Sequence, residues 1–190
     1  AYCAKVSNPN NQINTATHEK LLNYLVKHKH WSPFEMANAC LEIQTTRDIA
    51  HQIVRHRSFS FQEFSQRYAD PKEQGDIFEY AECRLQDTKN RQNSIETDNV
   101  ELHHGWIEQQ EAANRAYTWA IEHGIAKEQA RKVLPEGLTK TTLYMNGTIR
   151  SWIHYIELRG ANGTQKEHMQ IAHACAEAIA KIFPNIEKYS

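Results

Sequence analysis

The sequence lacks most features that announce a function. None of its four cysteines, Cys3, Cys40, Cys83 and Cys175, forms a Cys-x-x-Cys pair, so neither a zinc knuckle nor a redox dithiol is suggested. No His-Glu-x-x-His occurs among the eleven histidines. Neither His28 with His30 nor His103 with His104 has the i, i+4 spacing of paired helical ligands, so no metal is expected. A Walker pattern and a Gly-x-Gly-x-x-Gly are both missing, which excludes the usual glycine-rich phosphate loops. Mean hydropathy is −0.73, and no apolar run approaches the ~20 residues of a membrane span. No net charge of consequence exists either: 22 basic and 23 acidic residues leave −1. Such a chain has no field to draw it onto DNA or a membrane surface. Any anion it binds must be met by a local cluster. With no cationic, apolar leader in view, reduced thiols in the cytoplasm are expected. The chain opens at Ala1, and a short strand is expected upstream of it.

At 190 residues the chain fits a single domain around one core. Asn8-Pro9-Asn10-Asn11 reads as a turn. Leu21, Leu22, Leu25 and Val26 mark the buried face of a helix from about Thr17 to His28, which Trp31-Ser32-Pro33 interrupts. Ala39 to Gln44 alternates as a strand. Thr45-Thr46-Arg47-Asp48 opens a helix that buries Ile49, Ala50, Ile53 and Val54. A loop is expected from Ser58 to Asp70, then a strand somewhere from Ile77 to Leu85 and a polar connection from Asp87 to Ser94. Asp98 with Glu101 forms a capping box for a long helix with Leu102, Trp106, Ala113, Tyr117 and Ala120 on one stripe. Gly124 ends it, and a short helix follows from Lys127 to Leu134. Leu138 to Met145 is a threonine-rich strand. Asn146-Gly147 turns into a helix from Thr148 to Arg159, whose inner face is Ile149, Trp152, Ile153 and Ile156. Thr164 with Glu167 forms a second capping box, and the last helix buries Ile171, Cys175, Ala178, Ile179 and Ile182. These elements sum to an α+β domain, a small antiparallel sheet packed with several α-helices.

One stretch stands out. From Arg55 to Tyr68, three arginines, a histidine, three serines and Glu63 alternate with three phenylalanines and the tyrosine. Arg55 and Arg57 follow a helix, where cations meet the negative end of its dipole for about 0.3–1 kcal/mol each. Capping accounts for each singly but not for the crowding that follows. Guanidinium groups meet phosphate oxygens bidentately, and flat rings stack beside them. Gln52 lies one turn before Arg55 and offers both donor and acceptor. Glu63 is suited to accept from a ribose hydroxyl or to hold an arginine. The segment is expected to grip a nucleotide.

Arg55-His56-Arg57, seven residues, then Ser65 resembles the signature of the flavin-dependent thymidylate synthases. His28-Lys29-His30-Trp31-Ser32-Pro33-Phe34-Glu35 resembles the family's upstream flavin segment. Ala130-Arg131-Lys132-Val133-Leu134-Pro135 resembles its phosphate-binding segment, and Arg150 to Arg159 its closing helix. The four blocks occur in family order across nearly the whole chain.

The resemblance implies that Gln52, Arg55, Glu63, Ser65, Gln66, Arg67, Arg131 and Arg159 hold dUMP. It implies that His30, Ser32, Arg55, His56, Arg57, Glu63, Thr148, Arg150 and His154 line FAD. Arg159 is the implied catalytic residue, a cation against the polar edge of the uracil. Where the family carries asparagine two positions before Arg150, this chain has Thr148. Either a small insertion shifts the contact to Asn146 or threonine takes it over. The implied reaction moves a one-carbon unit from 5,10-methylenetetrahydrofolate to dUMP, with hydride from reduced FAD and NADPH as reductant. A cytoplasmic homotetramer with shared active sites is implied, of bacterial, viral or phage origin, with neither membrane nor nucleic acid as partner.

Two other classes compete. A non-catalytic nucleotide- or RNA-binding module would use the same arginines and phenylalanines, but near-zero net charge disfavours a broad nucleic-acid surface. A helical interaction protein would lose only stability on Arg55→Ala or Arg159→Ala. The implied chemistry needs no thiol. Replacing all four cysteines by serine or alanine is therefore expected to spare turnover in a folded variant; a folded but inactive one would indicate a thiol mechanism.

Overall fold

The computed structural model describes residues 1–67 and 77–189, with the side chains of Glu187 and Tyr189 left aside. In chain order, α1 is Pro9–Gln12, α2 His18–Lys27, β1 Asn38–Thr46, α3 Arg47–Ile53 and β2 Phe59–Glu63. Then come β3 Arg84–Gln86, β4 Ser94–Glu96, α4 Val100–Glu122, α5 Lys127–Ala130, β5 Lys140–Thr148, α6 Ile149–Arg159 and α7 Lys166–Ala180. The class is α+β, as expected. None of the described helices is long and apolar enough to cross a membrane.

Strands β1, β5 and β2 form one sheet in that order. The neighbours run antiparallel. Ile149 N–H donates to Ala37 O and Arg47 N–H to Thr139 O, each at 2.9 Å, so β1 ascends as β5 descends. Likewise Phe59 lies against Gly147, whereas Phe64 N–H donates to Thr142 O. A second antiparallel ladder pairs β3 with β4.

The chain groups into two units. The first comprises Ala1–Leu41, His56–Ser60 and Met145–Ser190. Its core is built on α6. Thr148 caps that helix, its hydroxyl accepting from Ser151 N–H at 3.1 Å. Ile149, Trp152, Ile153, Tyr155 and Ile156 then recur at helical spacing and are buried. Ala172, Cys175, Ala176 and Ile179 of α7 are buried in the same unit. Trp152 satisfies its indole N–H on Ala39 O at 3.0 Å. The second unit comprises Glu42–Arg55 and Phe61–Tyr144. There Ile77, Phe78, Tyr117, Ala120, Ala130 and Leu138 form one apolar cluster.

Several expectations need correction. The loop expected from Ser58 begins instead with β2, where Phe59, Phe61 and Glu63 are half-buried and Ser60 and Gln62 exposed. That two-residue alternation is a strand pattern. The loop's end, Tyr68 to Asp70, lies outside the described residues. Asn146-Gly147 is no turn, because β5 continues to Thr148 and the helix starts directly from it. Ile77 to Leu85 is not one strand: Phe78 makes an isolated bridge to Thr139 and β3 starts at Arg84. Asn99, not Asp98, caps α4, accepting from Leu102 N–H at 3.0 Å. Gln165 takes the N-cap position of α7, with no side-chain capping bond. Val54 and Ile182 are exposed, at 38% and 91%. Each lies beyond its helix's last turn, where helical phase no longer predicts the facing side. Leu102 and Trp106 are exposed by about two-fifths (41% and 42%) on an α4 that buries Gln110, Tyr117 and Ala120.

Gly147 is buried, and a Cβ there would stand 2.4 Å from Phe59 Cδ1. Phe59 is itself wedged edge-on against Trp152, with ring centres 4.9 Å apart. Gly147→Ala is expected to destabilise the protein by about 1–3 kcal/mol through overpacking, and Phe59→Leu in the same chain should recover part of it. Urea unfolding of the wild type and the two variants reads this; an unchanged midpoint for Gly147→Ala would show that the ring yields freely.

Candidate active site

The first unit holds most of the residues expected to line a flavin. His30 and Ser32 follow α2 after a turn in which Lys29 adopts φ 57° and His30 N–H donates to Leu25 O at 2.8 Å. Both side chains are exposed. Trp31 packs edge-on against His154, with ring centres 4.8 Å apart. Arg150 bonds Glu35 through a surface ion pair in which each side chain is about two-fifths exposed (41%). Such a pair contributes little and can be exchanged for a stronger anion. Thr148 spends its hydroxyl on capping α6, while Asn146 is exposed on β5. Arg57 is exposed.

The central contact joins His56 to Arg159. Arg159 Nε–H donates to His56 Nε2 at 3.0 Å. The imidazole must therefore be neutral and carry its proton on Nδ1. Burial lowers the His56 pKa, and the guanidinium beside it lowers it further. Arg159 has no carboxylate partner among the described residues. Behind His56 lie Tyr155, edge-on with ring centres 5.0 Å apart, and His168. Tyr155 Oη and His168 Nε2 are 3.1 Å apart, and both residues are buried. Burial holds the tyrosine pKa well above its ordinary value, with Cys175 adding to the rise. Burial first, then Arg159 and His56, push His168 down to about 4. Cys175 is pushed up to about 12 by burial, which leaves an inert thiol.

The second unit holds the residues expected to bind dUMP apart from Arg159, which belongs to the first. Glu63, expected to take a ribose hydroxyl or an arginine, takes an arginine: Oε1 accepts from Arg47 Nη1 at 3.3 Å and from Thr141 Oγ1 at 2.9 Å. Gln52 is half-buried near the end of α3, and Arg55 follows exposed. Ser65 and Arg67 are exposed, whereas Gln66 between them is buried. Its side-chain Nε2 has no hydrogen-bond partner among the described residues, an expensive state for a buried donor that a bound acceptor would relieve. Arg131 is exposed in the 3₁₀ turn after α5.

Sequence reasoning passed over Arg47, Thr141, Tyr155 and His168. Tyr155 lies three residues after Trp152 and His168 seven before Cys175, so helical spacing carried the signal for both. Nothing in the sequence singled out Arg47 or Thr141, whose partner Glu63 is distant along the chain.

The family model for thymidylate synthase complementing protein matches residues 1–185. The chain belongs to the flavin-dependent thymidylate synthase family. A probable flavin-dependent thymidylate synthase of Paramecium bursaria Chlorella virus 1 is 53% identical, the match covering 99% of this chain and 87% of the relative. A flavin-dependent thymidylate synthase of Synechocystis is 49% identical, covering 98% of this chain and 85% of the relative. The fold matches the crystal structure of a UMP/dUMP methylase from Streptomyces cacaoi bound with 5-Br dUMP, with a TM-score of 0.78 at 24% identity, over 99% of this chain and 86% of that one. The family signature and the fold thus agree.

Burial of His168 has a consequence for acid stability. Its pKa is 6.5 ordinarily and about 4 when folded. Above pH 6.5 the residue is neutral in both states and its contribution is complete. As pH falls from 6.5 towards 4 the unfolded chain takes up the proton first, and stability is lost. Urea midpoints should fall over that window, and His168→Gln should flatten the fall. An equal slope in both proteins would assign the effect elsewhere.

Proposed function

We propose that this flavin-dependent thymidylate synthase family member converts dUMP to dTMP as a single catalytic domain, with 5,10-methylenetetrahydrofolate as carbon donor and NADPH as reductant. The observation that carries the reading is the signature histidine, His56, accepting from the guanidinium of Arg159. One nitrogen of Arg159 is thereby fixed, while its Nη groups keep donors for an anion or a carbonyl.

The donor set of the first unit fits a flavin dinucleotide. Arg57 and Arg150 suit pyrophosphate oxygens, Ser32 adds a hydroxyl, and His30, His56 and His154 offer flat polar rings. Thr148, already capping α6, has a lone pair left for the contact made elsewhere by asparagine. Bound FAD would supply hydride chemistry that no protein side chain can. In the second unit Arg55, Arg67 and Arg131 suit the nucleotide phosphate, and Ser65 adds a hydroxyl. Gln66 suits a carbonyl or phosphate oxygen through its unpartnered amide. Gln52 provides donor and acceptor together. Glu63 acts indirectly, holding Arg47 and Thr141 in place.

Within this reading Arg159 is the catalytic group. Electrophilic attack by the one-carbon unit requires electron density at uracil C5, and negative charge then gathers on the ring's polar edge. A fixed cation there stabilises that charge without reorganising. Neutral His56 holds the cation without cancelling it, as a carboxylate would. The exposed flank of α4, with Leu102, Trp106 and Ile107, supports burial against other copies in a homotetramer. A cytoplasmic location belongs to the same reading.

The purified protein should be yellow or take up FAD. It should release tritium from 5-labelled dUMP when folate donor and NADPH are added. Arg159→Ala should abolish that release while flavin absorbance stays largely intact. Loss of flavin with unchanged residual turnover would contradict the role given to Arg159.

A further inference from the structure

Tyr155 and His168 belong to neither set of expected ligand-binding residues, yet they are among the most deeply buried polar side chains of the first unit, at 1% and 0% exposure. A buried hydroxyl needs a partner, and His168 Nε2 is placed to accept from Tyr155 at 3.1 Å. The bond pins the phenol ring. That ring meets the His56 imidazole edge-on, at 5.0 Å and 85°. His56 is only half-buried. A turn of its ring would carry Nε2 away from Arg159, because the two edges of an imidazole differ in which atom accepts.

We propose that Tyr155 and His168 are positioning residues: the pair, bonded across α6 and α7, fixes His56 in the orientation and tautomer whose Nε2 receives Arg159. The proposal rests on the reading that Arg159 acts on dUMP. Position reaches the reacting ring in three steps. His168 sets Tyr155, Tyr155 sets the plane of His56, and His56 sets the direction of the guanidinium. Each group between the helix core and the cation is uncharged, so none offers Arg159 a competing ion pair. Among the described residues a single hydrogen bond directs the cation.

The test uses FAD-loaded protein labelled with ¹⁵N-histidine. A long-range ¹H–¹⁵N spectrum reads the His56 tautomer, and steady-state kinetics are measured alongside. Wild-type His56 should show a protonated Nδ1 and a bare Nε2. His168→Leu should lower kcat on the order of tenfold to a hundredfold, the scale of a small misplacement. Its KM for dUMP and its flavin content should stay within about twofold, as for a group that acts only in the transition state. In that variant His56 should show both tautomers. His168→Gln, whose Oε1 can accept from Tyr155, should restore most of kcat and the single tautomer. Should His168→Leu not fold, Tyr155→Phe removes the same hydrogen bond while keeping the ring, and mixed His56 tautomers are expected there too. The proposal is overturned if wild-type His56 carries its proton on Nε2. A variant with wild-type kcat, or one that loses kcat while His56 keeps one tautomer, overturns it as well. A wild-type protein that makes no dTMP would sink the functional reading alone, since the tautomer spectrum needs no turnover.

Discussion

The site depends on a cation held by a neutral partner. Arg159 donates through Nε to His56 Nε2 at 3.0 Å, and no carboxylate among the described residues shares its charge. A guanidinium paired with aspartate or glutamate would be fixed more firmly, but most of its field would be cancelled. An imidazole fixes direction and leaves the charge available, provided it stays unprotonated. Burial and the neighbouring cation both favour that state. Two like charges in contact in a half-buried site would repel strongly, so His56 gains nothing from a proton there.

The fold of the first unit serves this arrangement. Thr148 ends β5 and caps α6 in one residue, so Arg159, last residue of that helix, is placed by a rigid element rather than a loop. Gly147, just before the cap, leaves room for Phe59, whose ring lies on Trp152 and Tyr155. Glycine is needed for close approach, not for an unusual backbone angle. In the second unit Glu63 plays a comparable organising part by bonding Arg47 and Thr141. Carboxylates here hold cationic side chains in position: Glu63 holds Arg47, and Glu35 holds Arg150.

Much of this was legible in the sequence, and what was missed follows a pattern. The helices from His18, Arg47, Val100 and Ile149 follow from apolar spacing, because burial of one face decides them. The Arg55-His56-Arg57 signature pointed to the family before any coordinates. Local reasoning failed where partners are remote along the chain. Phe59 to Glu63 reads as a loop because so short a run, with Ser60, Gln62 and Glu63 in it, carries too few apolar positions to stand out as a strand. The pairing strand β5 turns it into sheet. Asn146-Gly147 is a strong turn signal, overridden by the same pairing and by the ring over Gly147. Both helices start one residue later than the capping boxes imply: at α4 the neighbouring Asn99 takes the amide, and at α7 no side chain caps the first turn. Arg47 with Glu63, and Tyr155 with His168, are contacts of tertiary structure. Spacing is compatible with Tyr155 and His168 lying inside, but the sequence reading named neither, and spacing cannot say what they touch.

The most direct measurement is a structure of the assembled protein with dUMP and FAD bound. The account predicts that Arg159 keeps Nε on His56 Nε2 while its Nη groups meet the polar edge of a bound uracil. A guanidinium turned away from His56 onto a carboxylate, or one remote from the pyrimidine in every protomer, would contradict it.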